Sequence, residues 1–176
     1  MNLTDLLSAD RVAIRSSQNG AQRLDKPGAI AILAGLLASA ELSDAAVPSS
    51  AGDAATAPSH VDRDEIERVL LERERLQSTA IGEGVAIPHG ALSQLTNQVA
   101  TLLIIPDGID FAAIDERDVN IIFAVIGPKR ATGEHLKTLA RVSRLLRNQS
   151  FREQLVASSD PRAAFALIAS EEGEKR

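Results

Sequence analysis

Cysteine is absent from the 176 residues, as are tryptophan and tyrosine, and phenylalanine occurs only four times. Without cysteine there is no disulfide, no thiolate chemistry and no cysteine-ligated metal. The same absence fits a cytoplasmic protein. With so few aromatic rings, the chain has little on which successive bases of a single strand could stack. Excess positive charge is missing too. The formal net charge is −5, which argues against a nucleic-acid surface and suits small ligands or basic partner faces. The longest apolar run, near residues 29–40, is about a dozen residues, whereas a membrane-spanning helix needs roughly 20. Met1-Asn2-Leu3-Thr4-Asp5 shows no basic region leading into an apolar core, so no signal peptide is expected.

The length suits one domain with a sizeable core. The pattern predicts a helical turn at residues 3–7, a short strand at Val12-Ala13-Ile14, and a helix from Asp25-Lys26-Pro27 to about Ser39. Residues 43–60 are small, polar and proline-bearing, and read as a flexible surface loop ending at a solvated His60. Residues 62–75 form an amphipathic helix with acidic residues in its first turn. Its apolar stripe is Ile66, Val69 and Leu70, and Arg73 falls on the next position. Arg68 and Arg75 lie off the stripe, as solvated partners of the glutamates. An inward arginine needs a partner: either a carboxylate or an anion site.

Residues 76–84 read as a polar loop with hydroxyls at Ser78 and Thr79 and glycines at Gly82 and Gly84. Val85-Ala86-Ile87 then runs into Pro88, His89 and Gly90, and Gly90 is expected to turn the chain away. Residues 99–105 and 119–126 are nearly continuous apolar strands, stopped by Pro106-Asp107-Gly108 and Gly127-Pro128. Such strands are covered on both faces by helices. Phe111 and Ile114 are expected to anchor a turn between them. A second strong helix spans residues 132–147, with Leu136, Leu139, Ala140, Ser143 and Leu146 at helical spacing. His135 lies in its first turn, at the edge of the apolar face, where free N–H groups favour an anion. A short helix at Phe151 and a last one from Asp160-Pro161 follow, and residues 171–176 form a charged, frayed tail.

Three scattered histidines with no HExxH spacing make zinc an unsuitable reading. There is no GxSxG elbow, P-loop or dinucleotide fingerprint. A hydrolase using Ser78 with His89 lacks a visible third member. Two histidines, an inward arginine and loop hydroxyls suit phosphoryl transfer to nitrogen. A neutral imidazole is the nucleophile, and a planar guanidinium with a second imidazole supplies donors. The plainer alternatives are a turn histidine at 89 and a half-buried capping histidine at 135.

With these residues assembled, the sequence resembles the enzyme IIA component of the fructose/mannitol class of the bacterial phosphotransferase system, nearest its nitrogen-regulatory branch. The motifs are Arg73-Glu74-Arg75-Leu76-Gln77-Ser78-Thr79-Ala80-Ile81-Gly82, Gly84-Val85-Ala86-Ile87-Pro88-His89-Gly90, Phe111-Ala112-Ala113-Ile114-Asp115 and His135-Leu136-Lys137-Thr138-Leu139-Ala140. The resemblance covers essentially the whole chain, as a single domain over residues 1–170. It implies an α/β fold, a three-layer α/β/α sandwich with a mixed β-sheet and helices on both faces. It also implies that His89 is the phosphorylated histidine, carrying phosphate on Nε2, with His135 and Arg73 as its active-site partners.

The implied donor is an HPr-type phosphocarrier protein, and the implied receivers are a IIB protein or a regulatory target. No cofactor, metal, nucleic acid or membrane insertion is expected. A regulatory role is favoured by the lack of a transporter segment or attached IIB-like module. Onward transfer to a sugar-transport IIB and a non-phosphorylated interaction module are the alternatives. The chain departs from the family at Gln77 and Ala80, where glycine is usual, and in the length of the 43–60 segment. These departures bear on the partner surface.

Overall fold

A computed structural model describes residues 2–39 and 61–174. The segment read as a loop at 43–60, with His60 at its end, lies outside these residues, as do 175 and 176. The strands are β1 (Val12–Ile14), β2 (Gln18–Asn19), β3 (Gln22–Arg23), β4 (Ala80–Gly82), β5 (Val85–Ala86), β6 (His89–Leu92), β7 (Val99–Ile109) and β8 (Val119–Pro128). The helices are α1 (Lys26–Ala38), α2 (Arg63–Leu76), α3 (Thr132–Leu145), α4 (Gln149–Val156) and α5 (Pro161–Glu174). Two 3-10 turns, Leu3–Asp5 and Ala9–Arg11, precede β1.

Six strands form one mixed sheet in the order β1-β7-β8-β5-β4, with β6 also on β8. β1 is parallel to β7, β7 antiparallel to β8, and β5 and β6 parallel to β8. β2 and β3 make a separate antiparallel pair. The alternation of side chains across a strand divides the core in two. Ile122, Ala124 and Ile126 of β8 pack with Ile30, Leu33 and Leu37 of α1 and Ile66 and Leu70 of α2. Ile121, Phe123 and Val125 pack with Val142 and Leu145 of α3, Phe151 of α4 and Ile168 of α5. The result is the expected α/β/α sandwich.

The helix starts follow their capping residues. Asp25 Oδ1 accepts from Gly28 N at 2.9 Å, Asn148 Oδ1 from Phe151 N at 3.3 Å, and Asp160 Oδ1 from Ala163 N at 2.9 Å. At the other end of α5, the Glu172 carboxylate accepts the N–H groups of Leu3 and Thr4 at 2.9 and 3.2 Å. Residues 171–174 of the expected tail are therefore helical, and Glu172 is tied to the N-terminal turn.

Other expectations are corrected. β7 and β8 run through their proline–glycine pairs. In β7 the register shifts between Ile104 and Ile109, and Gly108 takes a φ of 70° that absorbs the irregularity. There the Asp107 carboxylate accepts from Ser17 N and Oγ, and these bonds hold its pKa down to about 2. Ile114 is no anchor: Phe111 is fully buried, but Ile114 is 82% exposed. The buried stripe of α3 is Thr138, Val142 and Leu145, and Leu136 points to solvent. The 76–84 loop contains β4, which pairs with β5 as a tight hairpin. Gly82, Glu83 and Gly84 at its tip all have positive φ.

Gly90 does not turn the chain. It lies inside β6, opposite Ile126 of β8, and its missing side chain admits α2. A Cβ at position 90 would stand 2.4 Å from Cγ1 of Val69. Valine in a helix has essentially one χ1 rotamer, so that methyl group cannot move aside. Gly90→Ala is expected to cost roughly 1–3 kcal/mol in urea unfolding. Val69→Ala in the same chain should recover part of it, and strict additivity of the two changes would refute the contact.

Candidate functional site

β5 and β6 are one strand line interrupted at Ile87 and Pro88. Both keep the same register on β8, with Ala86 opposite Ile122 and His89 opposite Val125. Pro88 has no N–H to give a ladder, but its carbonyl accepts from Val125 N at 3.0 Å. Ile87 N donates to Thr79 O across the hairpin at 3.0 Å. His89 is thus the first residue of a strand, held from both sides.

The ring of His89 is fixed at both nitrogens. Nδ1 lies 2.8 Å from Ile87 O. A carbonyl only accepts, so Nδ1 carries the proton. Nε2 then keeps its lone pair, and it accepts from Nε of Arg73 at 3.2 Å. Arg73 Nη1 also donates to Gln77 O at 2.9 Å. Among the described residues no carboxylate forms an ion pair with Arg73. Gln77, at the end of α2, has φ −168° and ψ 142°, an extended conformation open to any residue, so glycine is not required there.

His135 approaches from the other layer. Its ring centroid is 5.9 Å from that of His89, with the planes inclined at 53°. Its backbone N–H donates to Ala131 O at 3.0 Å, so it closes the first turn of α3 and offers no free amide. Both imidazoles have pKa values below the ordinary one. For His89, burial is the main cause, and the Arg73 charge adds to it against the opposing pull of Ile87 O and Glu74. For His135 the causes are burial and then the His89 charge. Both are therefore neutral near pH 7.

The two hydroxyls face elsewhere. Thr79 is buried, and its Oγ1 donates to Glu74 Oε2 at 2.5 Å. Ser78 Oγ donates to Phe111 O at 3.0 Å. Glu74 is the residue that sequence reasoning missed. Its side chain is 3% exposed and sits 2.7 Å from Lys26 Nζ. It also accepts Thr79 N at 3.0 Å, while Lys26 lies over the Phe111 ring, 4.9 Å from its centroid. This cluster pins the loop after Arg73 to α1 and to the Phe111 turn. The signal was present, because Glu74 follows Ile66 and Leu70 at i+8 and i+4, on the buried stripe.

A groove lined by Glu83, Arg117, Asn120 and Arg152 includes none of these site residues. Its charges pair within it, Glu83 lying 3.3 Å from both Arg117 and Arg152.

Fold and site together define an α/β/α domain built around an imidazole whose Nε2 lone pair faces a guanidinium. The family model described as "Phosphoenolpyruvate-dependent sugar phosphotransferase system, EIIA 2" matches residues 20–171, and the chain belongs to this family of phosphotransferase components. A nitrogen regulatory protein of Bradyrhizobium diazoefficiens is 43% identical over 101 residues, 57% of this chain and 66% of that protein. One of Pseudomonas aeruginosa is 32% identical over 99 residues, 56% of this chain and 64% of that protein. The chain thus spans just under two thirds of these relatives. The crystal structure of nitrogen regulatory protein IIA-Ntr from Neisseria meningitidis superposes with a TM-score of 0.74 at 24% identity, covering 94% of this chain and 98% of that one. Among the described residues no helix is long and apolar enough to cross a membrane.

The burial of the two imidazoles predicts a pH dependence. In the unfolded chain each binds its proton at about 6.5, but in the fold only at lower pH. Between those values the unfolded state holds more protons, so stability is full above about 6.5 and falls as pH drops through that window. NMR titration should place both midpoints below 6.5, and His89 should titrate higher in Arg73→Ala. An unchanged His89 midpoint in that variant would remove Arg73 as a cause.

Proposed function

We propose that the chain is a phosphoryl carrier that accepts phosphate onto Nε2 of His89 from an HPr-type phosphohistidine protein and acts mainly in regulation. The observation that carries this reading is the state of the His89 ring. Nδ1–H is committed to Ile87 O and Nε2 faces Arg73 with its lone pair. In the transfer the P–N bond of the donor breaks with its electron pair returning to the donor ring, the Nε2 lone pair bonds phosphorus, and the Nδ1 proton stays, so that the His89 ring becomes an imidazolium whose N–H donates to Ile87 O. Arg73 Nε then donates to a phosphoryl oxygen in place of Nε2. A charged donor in position before reaction stabilises the transition state without reorganisation, and positioning does most of the work in such transfers. Membership of the phosphotransferase family supports the chemistry, and likeness to nitrogen regulatory proteins supports the regulatory role.

Ser78 and Thr79, expected to serve as a phosphate loop, have their hydroxyls engaged by Phe111 O and Glu74. Their part is to hold the loop that follows the helix carrying Arg73. Exposed Leu76 and Leu136, next to the segments bearing Arg73 and His135, suit a partner with an apolar rim around its own phosphorylated residue.

A second reading, exchange with a sugar-transport IIB, is favoured by one observation. A complex of enzyme IIAMTL and phosphorylated enzyme IIBMTL from Escherichia coli shares the fold, with a TM-score of 0.66 at 17% identity over 93% of this chain and 97% of that one.

Incubation with a phosphorylated HPr-type protein should give an acid-labile, base-stable phosphate on the wild type and none on His89→Ala. Arg73→Ala should remain folded and take up phosphate about 100-fold more slowly. Absence of label on the wild type, or full label on His89→Ala, would overturn the proposal. Passage of the label to a sugar through a fructose- or mannitol-type IIB would decide for transport.

A further inference from the structure

Beside His89, two side chains bury polar atoms that have nothing to bond. Gln98, which leads into β7, is 5% exposed, and neither its Oε1 nor its Nε2 has a hydrogen-bond partner. Both ring nitrogens of His135 are likewise sealed from solvent and unpartnered. A buried polar group left unsatisfied costs about 1–3 kcal/mol, so two such groups side by side call for an explanation.

They are side by side because of Gly127. A Cβ at that position would lie 2.9 Å from Cγ of Gln98 and 3.1 Å from Nδ1 of His135. The bare backbone of β8 is the floor on which both rest. The terminal torsion of a glutamine is broad, so its amide swings at little cost. The inventories are also complementary: a primary amide supplies donors on nitrogen, and a neutral imidazole keeps one acceptor.

Chemistry then selects the pairing. The single proton of neutral His135 sits on Nδ1 or on Nε2. On Nδ1 it faces Gly127 and Gln98. On Nε2 it is free for an anion held on the neighbouring His89. A hydrogen bond at one ring nitrogen decides which nitrogen keeps the proton.

We propose that Gln98 is a positioning residue whose side-chain amide donates to Nδ1 of His135, fixing the proton on Nε2 so that His135 donates to the phosphoryl group on His89. This rests on the phosphoryl-carrier reading given above. Gln98 never touches the phosphate and acts only through His135.

The test uses the full chain, labelled with nitrogen-15, in which long-range proton–nitrogen spectra report the tautomer of each imidazole. Wild-type His135 should be the Nε2–H tautomer. Gln98→Leu, which fills the space without polar atoms, should give a tautomer mixture at His135 and leave the Nδ1–H tautomer of His89 intact. Phosphate uptake from a phosphorylated HPr-type protein should fall roughly tenfold, as for one lost hydrogen bond to a charged group. Gln98→Lys keeps a donor and should preserve the Nε2–H form. Gln98→Glu offers only acceptors and should move the proton to Nδ1 or charge the ring. An Nδ1–H tautomer in the wild type, or a His135 tautomer indifferent to Gln98→Leu, would overturn the inference even with His89 fully labelled. If His89 takes no phosphate at all, the carrier reading fails and the proposed role of Gln98 fails with it, while the spectra still show whether the contact exists.

Discussion

Helix α2 and strand β6 approach as closely as a hydrogen atom at Gly90 allows, with Val69 set against the bare backbone. That contact decides how far Arg73, one turn further along the helix, stands from His89 at the start of the strand. A 3.2 Å hydrogen bond between two side chains from different layers tolerates little displacement. The pinning of the following loop by Glu74, Lys26 and Thr79 serves the same end, because Gln77 O, which holds the far side of the guanidinium, belongs to that loop.

β8 plays the corresponding part for the histidines. Its partner strand is broken at Pro88, and the break places the Ile87 carbonyl under the His89 ring. Two residues on from the partner of His89, the missing side chain of Gly127 leaves room for His135. Glycines at 90 and 127 are therefore needed for close approach rather than for a left-handed backbone, in contrast to Gly82 and Gly84 at the hairpin tip, whose φ values are positive.

Much of the architecture was legible in the sequence. The apolar runs of β7 and β8 and the stripe of α2 are strong periodic signals. The family resemblance supplied the mixed sheet and named Arg73, His89 and His135. The missed features depend on contacts between distant segments. The buried state of Glu74 was foreshadowed by its spacing, but its partner Lys26 lies on another helix. Gly127-Pro128 and Pro106-Asp107-Gly108 read as stops because local preference favours a turn there, whereas pairing with β6 carries β8 through Gly127 and Pro128, and β7 regains its pairing with β8 at Ile109 after a register shift. Helical spacing puts Leu136 on the apolar face of its helix and hydrophobicity makes Ile114 a turn anchor, yet both are exposed. Gln98 gave no sequence signal, since nothing local marks an amide that is buried beside a histidine.

The carbonyl of Ile87 has a consequence for the way the site meets its surroundings. A backbone group cannot titrate, rotate away or be exchanged for another side chain, so the proton on Nδ1 of His89 has a permanent acceptor. With the Nδ1 proton kept, the ring is neutral while Nε2 is free and an imidazolium while Nε2 carries the phosphoryl group, and the Ile87 carbonyl faces that positive charge. The positive charge on the ring thus arrives and leaves with the phosphoryl group, and the same Nδ1–H tautomer is recovered when that group departs.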